Sequence, residues 1–487
     1  MKQNLHQFLC LYGHFYQPPR EDPFTGLIAP EYGAAPYENF NEKITAECYR
    51  PNAEIGNFEH ISFDFGPTLA AWLEQAHPDV YAKIIEADRL NLDRYGVGNG
   101  LAQAYNHTIL PLATTRDKRT QILWGLTDFA HRFGHPAEGM WLAETAVDIE
   151  TLTILAEQGV RYTVLAPWQA AEPIDSTEPY RVALPGGRDI TVFFYNGPLS
   201  GGVSFDWNVT MNADAFASSY LPQHLNQEKS ERNEDQLIVV ATDGELYGHH
   251  QPWRDRFLEH LLREGASAAG FSVTTLGRYL ANHQPQREVT LHVPSAWSCA
   301  HGVARWGAGC DCTEGDASWK PLLRQALDHL AVRLNEIFER ETAETLYDPW
   351  EARDGYLSYY RGWMSSYDFW TRFGKNDGRP VSKSAEQRTE SLLAAQYFGQ
   401  QMYTSCGFFF EDIDRIEPHN DIAFARRAIS LTWQATNIDL EADFLRDLAV
   451  AHSWRSGQTG ADLYRQLPPV EPGLLPRQSS AANGQVA

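Results

Sequence analysis

The chain has 487 residues, enough for two or three units at about 150 residues each, and for a large core without disulfides. Hydrophobic residues make up 43% and charged residues 21%, which excludes a globally disordered or fibrous protein. A formal charge of −23 repels phosphate backbones and anionic membranes, so the expected partner is a neutral molecule such as a sugar, for which 14 Trp, 22 Tyr and 24 Phe offer stacking faces.

The N-terminal MKQNLHQFLCLYGHFYQPPR has a short apolar stretch broken by Gly13 and His14, and reads as a strand rather than a signal peptide. Short β-rich runs then alternate with helical patterns, the signature of βα units around a parallel sheet. Seven strands are predicted: Phe8–Gly13, Ile61–Phe65, Leu92–Val97, Gly139–Ala143, Tyr162–Ala166, Ile190–Tyr195 and Leu237–Ala241. Helices are predicted at Thr68–Gln75, Lys118–Phe133, Asp148–Gln158 and Ala213–Tyr220. Past about residue 290, Leu323, Leu327, Leu330, Leu334 and Phe338 recur at helical spacing, as do Leu392, Ala395, Phe398 and Met402. The expected fold is therefore α/β, a catalytic unit over residues 1–290 followed by a mostly helical domain over 291–460 that closes the cleft. Asn376–Ser384 reads as an exposed loop, and the Pro/Ser/Ala/Gly-rich end, residues 461–487, as a disordered tail. No apolar run approaches the roughly 18–20 residues of a membrane span. Six cysteines in so long a chain are no disulfide scaffold, so the expected location is the cytoplasm.

In parallel α/β sheets and barrels the carboxyl ends of strands hold the active site. Here His14 and Gln17 follow the first predicted strand, Glu144 the fourth, and Asp243 and Glu245 the seventh. Glycosidic cleavage needs two carboxylates, one to attack or to activate water and one to protonate the leaving oxygen. Either Glu144 or Asp243 alone reads more readily as a helix cap than as a catalytic group. Finding both, beside Trp141 and the His249–His250 pair, favours the catalytic reading. Glu245 is either itself the acid or a positioning group. His14, Gln17 and His107 suit sugar hydroxyls, which both donate and accept.

Farther on, SAWSCAHGVARWGAGCDC places Trp297, His301 and Trp306 on a loop expected to face the cleft from the second domain. Cys299, His301, Cys310 and Cys312 are metal-ligand types at an unusual spacing, and the sequence leaves open whether they bind one. No metal ligand is assigned, and the reaction requires neither a metal nor an organic cofactor. The glycines of YGVGNG miss the dinucleotide fingerprint, whose third glycine would fall at Leu101.

The order HFYQP, NHTILP, WLAETA and TDGELYGH resembles glycoside hydrolase family 57. That resemblance implies a seven-stranded (β/α) barrel followed by helices, and action on α-glucans with retention of configuration. It implies Glu144 as nucleophile and Asp243 as acid/base, with His14, His107 and Trp141 in substrate subsites and Glu245 in support. SAWSCAHG and MYTSCGFFFEDI resemble a bacterial branch with a second-half domain of unassigned function. HFYQP departs from the family's more usual H-x-H-Q-P, so one histidine is missing. The expectation is a retaining glycosidase or glucanotransferase acting on an oligo- or polysaccharide, its oligomeric state open. Two rivals stand beside it: a metal-dependent polysaccharide deacetylase or mannosidase-like hydrolase on a related barrel, and a non-catalytic glycan-binding protein.

Overall fold

A computed structural model describes residues 6–375 and 381–468, and the chain divides into two compact units. One unit gathers the chain up to Gln17, then Pro30–Pro111 and Asp128–Gly302. Its strands are β1 (Gln7–Phe15), β2 (Ser62–Phe65), β3 (Gly100–Gln103), β4 (Met140–Trp141), β5 (Tyr162–Leu165), β6 (Tyr180–Leu184), β7 (Arg188–Phe194), β8 (Gln236–Asp243), β9 (Ser272–Val273) and β10 (Arg287–Glu288). One sheet runs β4-β3-β2-β1-β8 with β9 also on β1, and a second runs β10-β6-β7-β5. A parallel bridge between Gly139 and Tyr162 joins β4 to β5, and the Asn196 N–H donates to the Val239 carbonyl at 2.7 Å beyond the end of β7. These links close a ring of β1, β2, β3, β4, β5, β7 and β8, with β6 folded back antiparallel on β7. The structure is the expected (β/α) barrel, followed by helices.

The ring is filled from inside by alternate residues, as a period of two demands. Cys10 and Tyr12 of β1, Val164 of β5, Phe193 of β7, and Leu237, Val239 and Ala241 of β8 form one buried cluster. Continuing the same two rows past this core brings His14 and Asp243 to the carboxyl rim. Register then sets the neighbours: His14 pairs with Asp64 of β2 on one side and with Asp243 of β8 on the other.

Six of the seven predicted strands are present within a few residues of their expected limits. Leu92–Val97 is not a strand. Residues through Tyr95 finish the helix Pro78–Tyr95, which Gly96 stops in the left-handed conformation, and the strand begins four residues later at Gly100. Apolar residues of that helix's last turns mimic alternation, whereas GLAQ, small and fully buried, has little intrinsic strand preference. Ala213–Tyr220 begins as one turn of α-helix and widens into a π turn from Phe216.

The second unit comprises Pro18–Ala29, Leu112–Thr127 and the chain from Val303 on. Its long helices are Trp319–Thr342, Lys383–Gln401 and Ile416–Thr436. The predicted stripe Leu323, Leu327, Leu330, Leu334 and Phe338 is buried along the first of them. Fully buried Arg353 ties this core to the Leu112–Thr127 segment, donating to Asp117 at 2.8 Å and to Thr120 at 2.8 Å. Gly460–Gln466 is a capped helix, so residues 461–466, expected in the tail, are ordered. The rest of that expected tail from 469, and 376–380 of the expected loop, lie outside the described residues.

Candidate active site

The rim of the barrel unit carries Glu144 on the turn after β4, and its backbone is unusual. Glu144 sits at φ 58° and Thr145 at φ 49°, a left-handed pair that non-glycine residues adopt only at a local energy cost. Surrounding contacts hold it there. The Thr145 hydroxyl donates to Gln169 at 2.8 Å, and Ser295 and Val147 bridge their backbones beside the turn. Glu144 Oε2 accepts from the Trp297 indole at 2.7 Å and the Ser298 hydroxyl at 2.6 Å. The Trp297 N–H also donates to the Glu144 carbonyl at 3.0 Å. One carboxylate oxygen is thus anchored twice. Burial raises the Glu144 pKa, with a smaller push from Asp243, while the Ser298 and Trp297 bonds and the charge on His14 act to lower it.

Asp243 ends β8 with its side chain exposed at the rim. Gly244 must follow it, because a Cβ there would lie 2.4 Å from the Phe15 ring. Glu245 then turns inward. It is buried, accepting from Tyr49 Oη at 2.6 Å and the Tyr16 N–H at 3.1 Å. Burial pushes its pKa up to about 7 against the pull of the Tyr49 bond. These contacts make Glu245 a positioning group for the turn that follows β8.

His14 lies between the carboxylates. Its Nδ1 is 2.8 Å from Asp64 Oδ2, and Tyr12 Oη donates to Asp64 Oδ1 at 2.7 Å. Burial alone would lower the His14 pKa, but the charge and hydrogen bond of Asp64, together with the charges of Asp243 and Glu245, outweigh it and raise it to about 9. The shift favours the imidazolium form of His14. Its Nε2 lies 3.1 Å from His107 Nε2, and burial and the His14 charge hold the His107 pKa well below its ordinary value. A neutral His107 accepting from a cationic His14 satisfies both. Trp141 supports the pair from beneath, its ring stacked between Tyr12 at 4.8 Å and His14 at 5.0 Å.

The expected site residues thus separate. Glu144, Asp243, Glu245, His14, His107, Trp141 and Trp297 gather at one rim. Trp141 is fully buried and forms the floor, so it offers no face for a sugar, whereas Trp297 is half-buried. The Gln17 carbonyl accepts from Thr68 at 2.7 Å. His249 turns to Glu47, at 2.6 Å, rather than to the rim carboxylates. Trp306, in the second unit, is fully buried near Phe409 and presents no ring for stacking. Sequence reasoning missed Asp64, Tyr49 and Ser298. Asp64 was within reach, since an aspartate one residue before the end of the run ISFDF resembles the signal that picked out Asp243.

Glycosyl hydrolase family 57 matches residues 3–292, more than half of the chain. The chain belongs to that family. A second match, a domain of unknown function (DUF3536), covers residues 316–485. Curated relatives of this family 57 chain include an alpha-amylase of Pyrococcus abyssi, 25% identical over 56% of this chain and 41% of the relative. A 4-alpha-glucanotransferase of Thermococcus litoralis is 29% identical over 53% and 39%. The chain thus spans about two fifths of the length of these relatives. An exo-type maltose-forming amylase from Pyrococcus sp. ST04 superposes with a TM-score of 0.71 at 13% identity, covering 91% of this chain and 83% of that one, which establishes the shared fold.

Proposed function

We propose that this family 57 protein is a retaining glycoside hydrolase or glucanotransferase acting on α-linked glucans. The observation that carries the reading is the Glu144 carboxylate, held on a strained turn at the barrel rim with one oxygen anchored by Trp297 and Ser298 and close enough to Asp243 to feel its charge. The unanchored oxygen attacks the anomeric carbon while Asp243 gives its proton to the leaving glycosidic oxygen, and a glycosyl ester forms on Glu144. Asp243 then takes a proton from water or an acceptor sugar hydroxyl, which displaces Glu144 and restores the starting configuration. The His14 cation steadies the carboxylate charges, and neutral His107 shares its proton. Relatives named as amylase and glucanotransferase support an α-glucan as substrate. A deacetylase-type centre would need several donors converging beside His14. Among the described residues the one converging set of His, Cys, Asp or Glu ligands lies elsewhere.

The test is product analysis of a maltooligosaccharide mixture with wild type and Glu144→Gln, with the first-formed anomer read by NMR. Wild type should shorten or redistribute the chains with the α-anomer appearing first, and the variant should do neither. A β-anomer appearing first would refute the double displacement. A cytoplasmic location belongs to the same proposal, supported by six cysteines of which none forms a disulfide. Activity confined to a secreted fraction would overturn it.

A further inference from the structure

The loop that begins one residue after Ser298 has a chemistry of its own. The ligand atoms of Cys299, His301, Cys310 and Cys312 all lie within 4.8 Å of one another. Zn–S bonds of about 2.3 Å would put tetrahedral sulfurs about 3.8 Å apart, so the donors stand about 1 Å from a closed zinc site. The sequence spacing looked wrong because the paired ligands are only two residues apart, but the chain between the pairs compensates. It makes a 3-10 turn at Ala304–Trp306, anchored by the buried Trp306 ring, and runs back so that the second pair meets the first. Gly302 (φ +73°) and Gly309 (φ +79°) bend the two arms, and a Cβ on either would come within 2.8 Å of a backbone oxygen. Arg305 donates to the Cys312 carbonyl and, at 3.2 Å, to the Thr313 hydroxyl, which also accepts from Lys320 at 3.0 Å. None of the three cysteines is in a disulfide.

We propose that Cys299, His301, Cys310 and Cys312 bind one zinc ion in a closed structural site, separate from the Glu144 and Asp243 carboxylates. Three thiolates and an imidazole select a soft divalent ion over magnesium or calcium, and a full set of protein ligands leaves no position for a reacting water. His301 then serves the metal and not a sugar. Because Trp297 and Ser298 reach Glu144 Oε2 from the adjoining residues, the ion also steadies the segment that anchors the nucleophile.

The experiment is elemental analysis of the full-length chain, purified under reducing conditions without chelator. The expected result is one zinc per chain, retained through gel filtration and falling about tenfold or more in the Cys310→Ser/Cys312→Ser double variant. Metal-free wild type titrated with cobalt(II) should develop thiolate-to-cobalt charge-transfer bands and the ligand-field bands of a tetrahedral site, a readout that does not depend on the variant folding. Wild type without zinc that also gives no such bands would overturn the proposal. So would bands unchanged in a folded double variant, or peptide mapping that finds a disulfide among the three cysteines of the native chain.

Discussion

Replacing Asp64 with Asn tests the electrostatic reading of the rim most directly. The amide keeps nearly the shape of the carboxylate, its oxygen accepting from His14 while its NH2 faces the Tyr12 hydroxyl as a donor, so packing is preserved and the negative charge is lost. In the wild type Asp64, by charge and hydrogen bond, acts with Asp243 and Glu245 against burial, and the net effect raises His14 from 6.5 to about 9. At about 1.36 kcal/mol per unit, that gap corresponds to about 3 kcal/mol of favourable interaction with the protonated ring. The folded-state value lies above the unfolded one, so this stabilisation is fully present below about pH 6.5 and is lost as pH rises through about 9. Urea denaturation of both proteins should therefore show Asp64→Asn destabilised by up to about 3 kcal/mol near pH 6, with the difference shrinking toward zero near pH 10. The His14 ring, followed by NMR, should titrate below 6.5 in the variant, because burial then acts on it without the opposing charge. Equal destabilisation at both ends of the pH range would refute the reasoning and leave Asp64 a packing residue.

Glu144→Gln should lower kcat by about 10³-fold or more with an unchanged circular dichroism spectrum; substantial residual turnover would dismiss it as the nucleophile. Asp243→Asn should cost about 10²–10⁴-fold on glucans but far less on an aryl glycoside whose leaving group needs no proton, and a uniform loss on both would remove it from the acid role. Ser298→Ala removes a hydrogen bond to a charged group worth about 1.5–3 kcal/mol, so kcat/KM should fall about 10–100-fold. Its acidic pH limb should also move upward, since that bond favours the ionised form of Glu144; a limb moving downward would contradict the geometry. Arg353→Met strips the counter-charge from Asp117 inside the helical unit and should cost about 3–5 kcal/mol in urea denaturation.

How much of this could be read from the residues follows from what each signal measures. Apolar runs behind Glu144 and Asp243 announce strands ending in acids, and strand direction alone carries both to one rim. The sheet register that sets Asp64 beside His14 depends on pairing between β1 and β2, which are separated by some forty-five residues and leave no periodic trace. Trp141 and Trp306 were legible as aromatic residues near chemistry, but ring type does not distinguish a buried floor from a stacking face. The spacing of the Cys299–Cys312 loop concealed the convergence of its four donor atoms for a related reason, because ligand spacing rules assume a regular turn between paired ligands, whereas glycine bends and a 3-10 turn bring these together. Leu92–Val97 failed where a helix end imitated alternation while the true strand was built of small residues.

The charges around Glu144 have a pharmacological consequence. Under the proposed mechanism the Glu144 carboxylate faces one cation, His14, whose charge is already shared with Asp64. Such a rim favours guests that carry positive charge where a sugar ring would sit, and disfavours phosphorylated ones. A protonated iminosugar should therefore outcompete its neutral carbon-ring counterpart, whereas glucose phosphates should be poor guests whatever their linkage.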